Sequence, residues 1–147
     1  MKNIYSWGDF MDGIYYFVLA SVIATFGVGF LVRNTIRKIF DDFGNRNAIQ
    51  TKMFIYIAII EAIPIILIIF GFLNIENSTA DLIIPIIIVA ASTILNILLI
   101  FSTSLPLANE INTSREIKEA LSTTAYIGIA LVMSFPIIFT VACILTL

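Results

Sequence analysis

Long apolar runs alternate with short polar stretches along the chain, at residues 14–32, 53–73, 82 to about 101 and 125–147. Each run holds about 19 to 23 residues, enough for an α-helix rising about 1.5 Å per residue to cross a hydrocarbon core of about 30 Å. Membrane strands need only about ten residues of alternating pattern, and these runs are continuous and much longer. The pattern predicts an all-α membrane protein with four transmembrane helices.

Composition agrees. Of 147 residues, 60% are hydrophobic and 12% charged, against about 25% charged in ordinary soluble domains, which excludes a water-soluble globular fold. The net charge is −2, and the basic residues form no patch interleaved with aromatics, so nucleic acid is not an expected partner. With no His and a single Cys, Cys143, the chain can form neither an internal disulfide nor a Cys/His zinc site. The first sixteen residues carry one Lys, two Asp and several aromatics, unlike the basic start of a cleaved signal peptide. They are expected to be retained, with Tyr5, Trp7, Tyr15 and Tyr16 at a membrane interface.

Charge placement predicts orientation. Arg33, Arg37, Lys38, Arg46 and Lys52 lie between the first two runs, and Arg115 and Lys118 between the last two. Lys2, Asp9, Asp12, Glu76 and Asp81 lie on the opposite side. The positive-inside rule then puts both charged loops inside and both termini outside.

Within the second run there is one carboxylate, Glu61, followed three residues later by Pro64. At that depth an ionised acid costs a few kcal/mol on insertion scales and more in simulations, so Glu61 is expected to be protonated, paired or turned to a hydrated cavity. Such an acid is by default an ion or proton site; the plainer reading is a protonated Glu satisfied by a neighbouring helix. The fourth run repeats the second. Setting MFIYIAIIEAIPIILIIFGFL over AYIGIALVMSFPIIFTVACIL aligns Ala58 with Ala130, Pro64 with Pro136, Ile65 with Ile137 and Glu61 with Met133. The repeat predicts two tandem hairpins of the same topology, residues 1–75 and 76–147, as a parallel and not an inverted repeat. The first carries the acid and the second has Met133 in its place.

The stretch MFIYIAIIEAIP resembles the second helix of the proteolipid, or c-type rotor protein, of rotary ATP synthases of the F and V types. In that family an apolar helix carries an ion-binding acid often followed by a small residue and Pro. Upstream, ATFGVGFLVRNTIRKI resembles its glycine-rich first helix, with Gly27 and Gly29 as the small residues that let helices approach closely in lipid. The resemblance implies a duplicated four-helix form assembling into a ring, the c-ring of the rotary motor. It implies a non-catalytic member of an ATP-driven or ATP-forming complex, which moves protons across a membrane by reversible protonation of Glu61. The implied partners are copies of the chain, a static a-type membrane protein with an Arg, central stalk proteins and lipid. The implied location is a bacterial plasma membrane or an energy-transducing organelle membrane.

No cofactor is implied, only a transported ion. Sodium-specific members supply a Gln on the first helix and a Ser or Thr after the acid. Here Val28 takes the Gln place, and Ala62 and Ile63 follow Glu61, so H⁺ is favoured over Na⁺. Ala24 aligns with Asn96 of the third run, whose amide is a candidate to hydrogen-bond Glu61 or to make a plain interhelical contact. Ser92, Thr93, Ser102 and Thr103 are expected to bond back to their own helix. The family's Arg-Gln-Pro loop is replaced by Asp41, Asp42 and Phe43, and in the second repeat by Thr113, Ser114 and Arg115. Stalk contact at this loop would therefore use different chemistry. A reading of another class is a small four-helix channel or interaction protein in which Glu61 is structural.

Overall fold

Polar residues at the chain's turns start and stop its helices. The computed structural model describes residues 11–79 and 81–147, so Tyr5 and Trp7 lie outside the described residues. Four helices follow: α1 (Gly13–Asp41), α2 (Arg46–Asn74), α3 (Ile83–Ala108) and α4 (Arg115–Leu145). Single 3₁₀ turns at Phe43–Asn45 and Ile75–Asn77 lead into and out of α2. Asp12 caps α1 by accepting from the Ile14 N–H at 3.1 Å, and Ser114 caps α4 by accepting from the Ile117 N–H at 3.3 Å. Asp12 also accepts from the Thr79 N–H at 2.8 Å and from the Ser78 hydroxyl. It thereby ties the start of α1 to the link between α2 and α3.

All four helices are long and apolar enough to cross a membrane, and no strand occurs among the described residues. They run further than the apolar segments predict. α1 continues beyond Val32 to Asp41, α2 starts at Arg46, and α4 starts at Arg115. The cause is an apolar stripe that keeps its helical period beyond the hydrophobic run: Thr35, Ile36 and Ile39 of α1 and Leu121 and Thr124 of α4 are buried. The charged loops inferred from the sequence are thus mostly helix. Arg33, Arg37, Lys38, Arg46, Lys52, Arg115 and Lys118 stand on helical ends joined by short turns.

α1 is the centre of the packing and touches each of the other three helices, while α2 leans chiefly on α1. The buried side of α2 is a narrow stripe of Met53, Ile57, Pro64 and Gly71, recurring at helical spacing. One apolar cluster fills the charged end, with Val28, Val32, Ile36, Met53, Ile57 and Leu121. A second, with Ile14, Phe17, Val89 and Phe139, fills the other end. In lipid such contacts stabilise by close packing and not by removal from water, so small residues matter at the crossings. Phe17 lies over Gly71, where a Cβ would fall 2.6 Å from its Cε2, and meets Phe72 edge-on at 4.9 Å between centroids.

Candidate functional site

Pro64 turns its ring into the α1 interface, and this sets the rotation of α2. Glu61, nearly one turn earlier, falls on the flank of the buried stripe and is half-buried. The helix is unbroken from Arg46 to Asn74 despite Pro64, although that residue has no N–H for the Ile60 carbonyl. Glu61 has neither a hydrogen bond nor an ion pair to any described residue, the one ion pair among them being Arg115–Glu119.

The flank occupied by Glu61 continues the side of α2 that meets α4 at the charged end. Gln50, about three turns earlier on the same face, donates from Nε2 to Thr124 Oγ1 of α4 at 3.0 Å. Ile68, about two turns later, packs on the cluster of Ala20, Ala24 and Phe135. Between the charged ends of α2 and α4 lies an open cleft of about 510 Å³ lined by Arg46, Gln50, Glu116 and Thr123, among others. Five turns beyond Glu116 and about three beyond Thr123, Ser134 stands on the same stripe of α4. It is half-buried, with Oγ donating to the Leu131 carbonyl at 2.7 Å. The repeat register that pairs Glu61 with Met133 also pairs Ala62 with Ser134, a hydroxyl that reading outward from Glu61 alone does not reach. Met133 itself is exposed.

The other residues singled out from sequence are brought together only in part. Ala24 and Val28 are buried, Ala24 against Phe135 and Val28 in the main cluster. Ala62 is exposed. Gly27 faces α2, where a Cβ would fall 2.6 Å from Ile60 Cγ2. Gly29, about 200° further round α1, faces α3 and Asn96. The two glycines therefore serve two different crossings and not one row. Asn96 is fully buried, donates from Nδ2 to the Ser92 carbonyl at 2.9 Å, and leaves Oδ1 unpartnered. It does not bond Glu61, because the α1–α3 crossing holds it away from the α2 flank. Ser92 and Thr93 bond the Val89 carbonyl, and Ser102 and Thr103 that of Leu99, as helical hydroxyls do.

At the tip of the first hairpin Asp41 ends α1, and Asp42 follows with its N–H on the Lys38 carbonyl at 2.9 Å. Asp42 also accepts from Asn45 Nδ2 at 2.8 Å. Phe43 lies under the Arg46 guanidinium at 4.9 Å. Asp41, Asp42, Asn45 and Arg46 are exposed there, while Phe43 is half-buried and packs against the main apolar cluster. Among the described residues no group of three or more His, Cys, Asp or Glu side chains is placed to hold a metal ion.

A bundle of four membrane-length helices, with one acid in mid-helix that has no partner among the described residues, is that of an integral membrane protein. Residues 16–74, which hold α2, most of α1 and Glu61, match the family model of the ATP synthase C subunit. Over those residues the first hairpin is similar to that family, and the four helices fit a duplicated form of it. No curated protein and no solved structure matches the chain. The similarity supports, in general, a proton-translocating role in a rotor ring, with copies of the chain and other ATP synthase subunits as the implied partners.

Proposed function

We propose that this chain is a rotor-ring protein whose transported ion is carried by Glu61 through reversible protonation. The observation that carries the reading is a single acid, without a partner among the described residues, half-buried in the middle of the apolar run of α2. In that setting the neutral acid is tolerated, whereas the anion costs from about 2.5 kcal/mol on insertion scales to more than 10 in simulations. The carboxyl therefore keeps its proton while it faces lipid, and releases it only where a static partner supplies a cation and water. The α1 position aligned with the sodium ligand is the apolar, fully buried Val28, which favours H⁺ as the ion.

One acid per four helices halves the charges carried per turn relative to a ring of two-helix proteins with the same number of hairpins. Each charge crossing is worth about 2.3 kcal/mol per 100 mV, so fewer charges per turn suit ATP-driven pumping or synthesis under a large gradient. Asp41, Asp42 and Phe43 at the hairpin tip are the proposed stalk contact. The charged helical ends face the inside of the cell or organelle and both termini face out, as the positive-inside rule requires.

The test is labelling with a hydrophobic carbodiimide in native membranes. The reagent adds to a protonated carboxyl, so Glu61 alone should be modified, fastest at low pH and more slowly as rising pH removes the proton. Failure to label Glu61, or a rate indifferent to pH, overturns the proposal. Protection by Na⁺ at constant pH would replace H⁺ with sodium as the ion.

A further inference from the structure

The charged ends of α2 and α4 stand apart around the open cleft of about 510 Å³, a size within the roughly 300–1,000 Å³ of small-ligand sites. Its two walls differ in charge. α2 supplies Arg46, Asn47 and Gln50, and α4 supplies Glu116, Glu119 and Thr123. Arg46 and Glu116 form no ion pair with each other or with any other described residue, and Glu119 is held only by Arg115, in an exposed pair at 2.8 Å. Such a pair is weak and easily exchanged. A cationic wall and an anionic wall thus line one cleft without meeting, which leaves room for a ligand that carries both charges.

The cleft lies at the depth of membrane headgroups. Arg46, Asn47 and Gln50 precede Met53, where the apolar run of α2 begins, by three to seven residues, which is about 5 to 10 Å at about 1.5 Å per residue. The polar layer on each side of the hydrocarbon is roughly 5–7 Å deep. One turn further in, Phe54 of α2 and Ile127 of α4 are exposed and apolar, a surface suited to acyl chains. Arg46 also opens α2, whose first turn has neither a side-chain cap nor an acid, and a helix start of that kind favours a phosphate beside the arginine. The opposite wall selects the cation. Two carboxylates can accept from the three N–H donors of a primary ammonium, whereas a quaternary ammonium is held by aromatic faces, and no aromatic side chain lines the cleft among the described residues. An anionic headgroup would satisfy Arg46 but leave both carboxylates facing its own charge.

We infer that the cleft between Arg46 and the two glutamates is a site for a zwitterionic phospholipid with a primary amine, the chemistry of phosphatidylethanolamine. The planar guanidinium takes the phosphate, the ammonium lies against Glu116 and Glu119, and the acyl chains run inward over Phe54 and Ile127. Such a lipid bridges the first hairpin to the second. Between α2 and α4 the only side-chain hydrogen bond among the described residues is Gln50 to Thr124 at 3.0 Å, so the lipid adds contacts where the helices themselves have few. Because it binds only the folded arrangement, it stabilises that arrangement by mass action. The site rests on the membrane-spanning helices and not on the role of Glu61, so either reading can fail without the other.

The test uses the full-length protein, stripped of lipid in detergent and offered equal amounts of phosphatidylethanolamine, phosphatidylcholine and phosphatidylglycerol. Native mass measurement should find the first retained about fivefold over the other two, the upper range for exposed charge contacts, and the thermal unfolding temperature should rise most with it. Glu116→Gln combined with Glu119→Gln should lower its retention to that of phosphatidylcholine, and Arg46→Gln should lower the retention of both. The three side chains are exposed, so the variants should unfold at the wild-type temperature when no lipid is added. Equal retention of the three lipids, or retention of phosphatidylethanolamine that these substitutions leave unchanged, overturns the site. Free phosphoethanolamine at the same concentration should not raise the unfolding temperature. An equal rise would make the ligand a soluble zwitterion and overturn the lipid.

Discussion

Asn96 and Gly29 meet at the α1–α3 crossing so closely that a Cβ on Gly29 would fall 2.5 Å from Asn96 Oδ1 and 3.1 Å from its Cγ. The carboxamide is fully buried and bonded to its own helix, so it has little freedom to yield. Gly29→Ala should lower stability by about 1–3 kcal/mol, as overpacked cores do. Thermal unfolding in detergent measures this. Adding Asn96→Ala should recover most of the loss, because the two groups compete for one space and their effects are not additive. Recovery of none of it would place the role of Gly29 elsewhere.

Glu61→Gln keeps the size of the side chain and removes its proton exchange. Transport should fall to background while the native mass of the assembly is unchanged. Met133→Glu in that variant should not restore full transport, because Met133 stands on an exposed face of α4, whereas Glu61 stands half-buried on the flank of α2. Ion-driven flux in reconstituted vesicles is the readout.

Thr124 is fully buried at the only described side-chain hydrogen bond between α2 and α4. Thr124→Val preserves shape and leaves Gln50 Nε2 without its acceptor, at a cost of about 1 kcal/mol. The same loss should follow Gln50→Leu, and the double variant should cost less than the sum of the two. A thermal-unfolding cycle tests the coupling.

Asp12 joins the cap of α1 to the link between hairpins through the Ile14 and Thr79 N–H groups. Asp12→Ala should destabilise by about 0.5–2 kcal/mol, the range for a lost N-cap. It should also make the link at Ser78 and Thr79 more open to protease, with cleavage rate as the measurement.

Sequence alone determined that there are four spans, that they are helical, and that Glu61 is the one acid among them, because length and apolar continuity leave a membrane segment few alternatives. It also suggested the register of a repeat, since Ala58, Pro64 and Ile65 recur 72 residues on as Ala130, Pro136 and Ile137. The direction each side chain faces was decided by the tertiary structure. Gly27 and Gly29 read as one small-residue row, yet they are some 200° apart on α1 and meet Ile60 and Asn96 on different helices. Asn96 sits at a membrane depth consistent with a bond to Glu61, but it is held at the α1–α3 crossing. Ser134 carries no mark until the stripe of α4 that lines the cleft is known. The charged stretches read as loops because they lack an apolar run, and they fold as helix because a buried face continues through Ile36 and Leu121. Helix rotation and partner depend on how side chains of the whole bundle fit against one another, and a linear pattern specifies the faces of a helix without saying what each will meet.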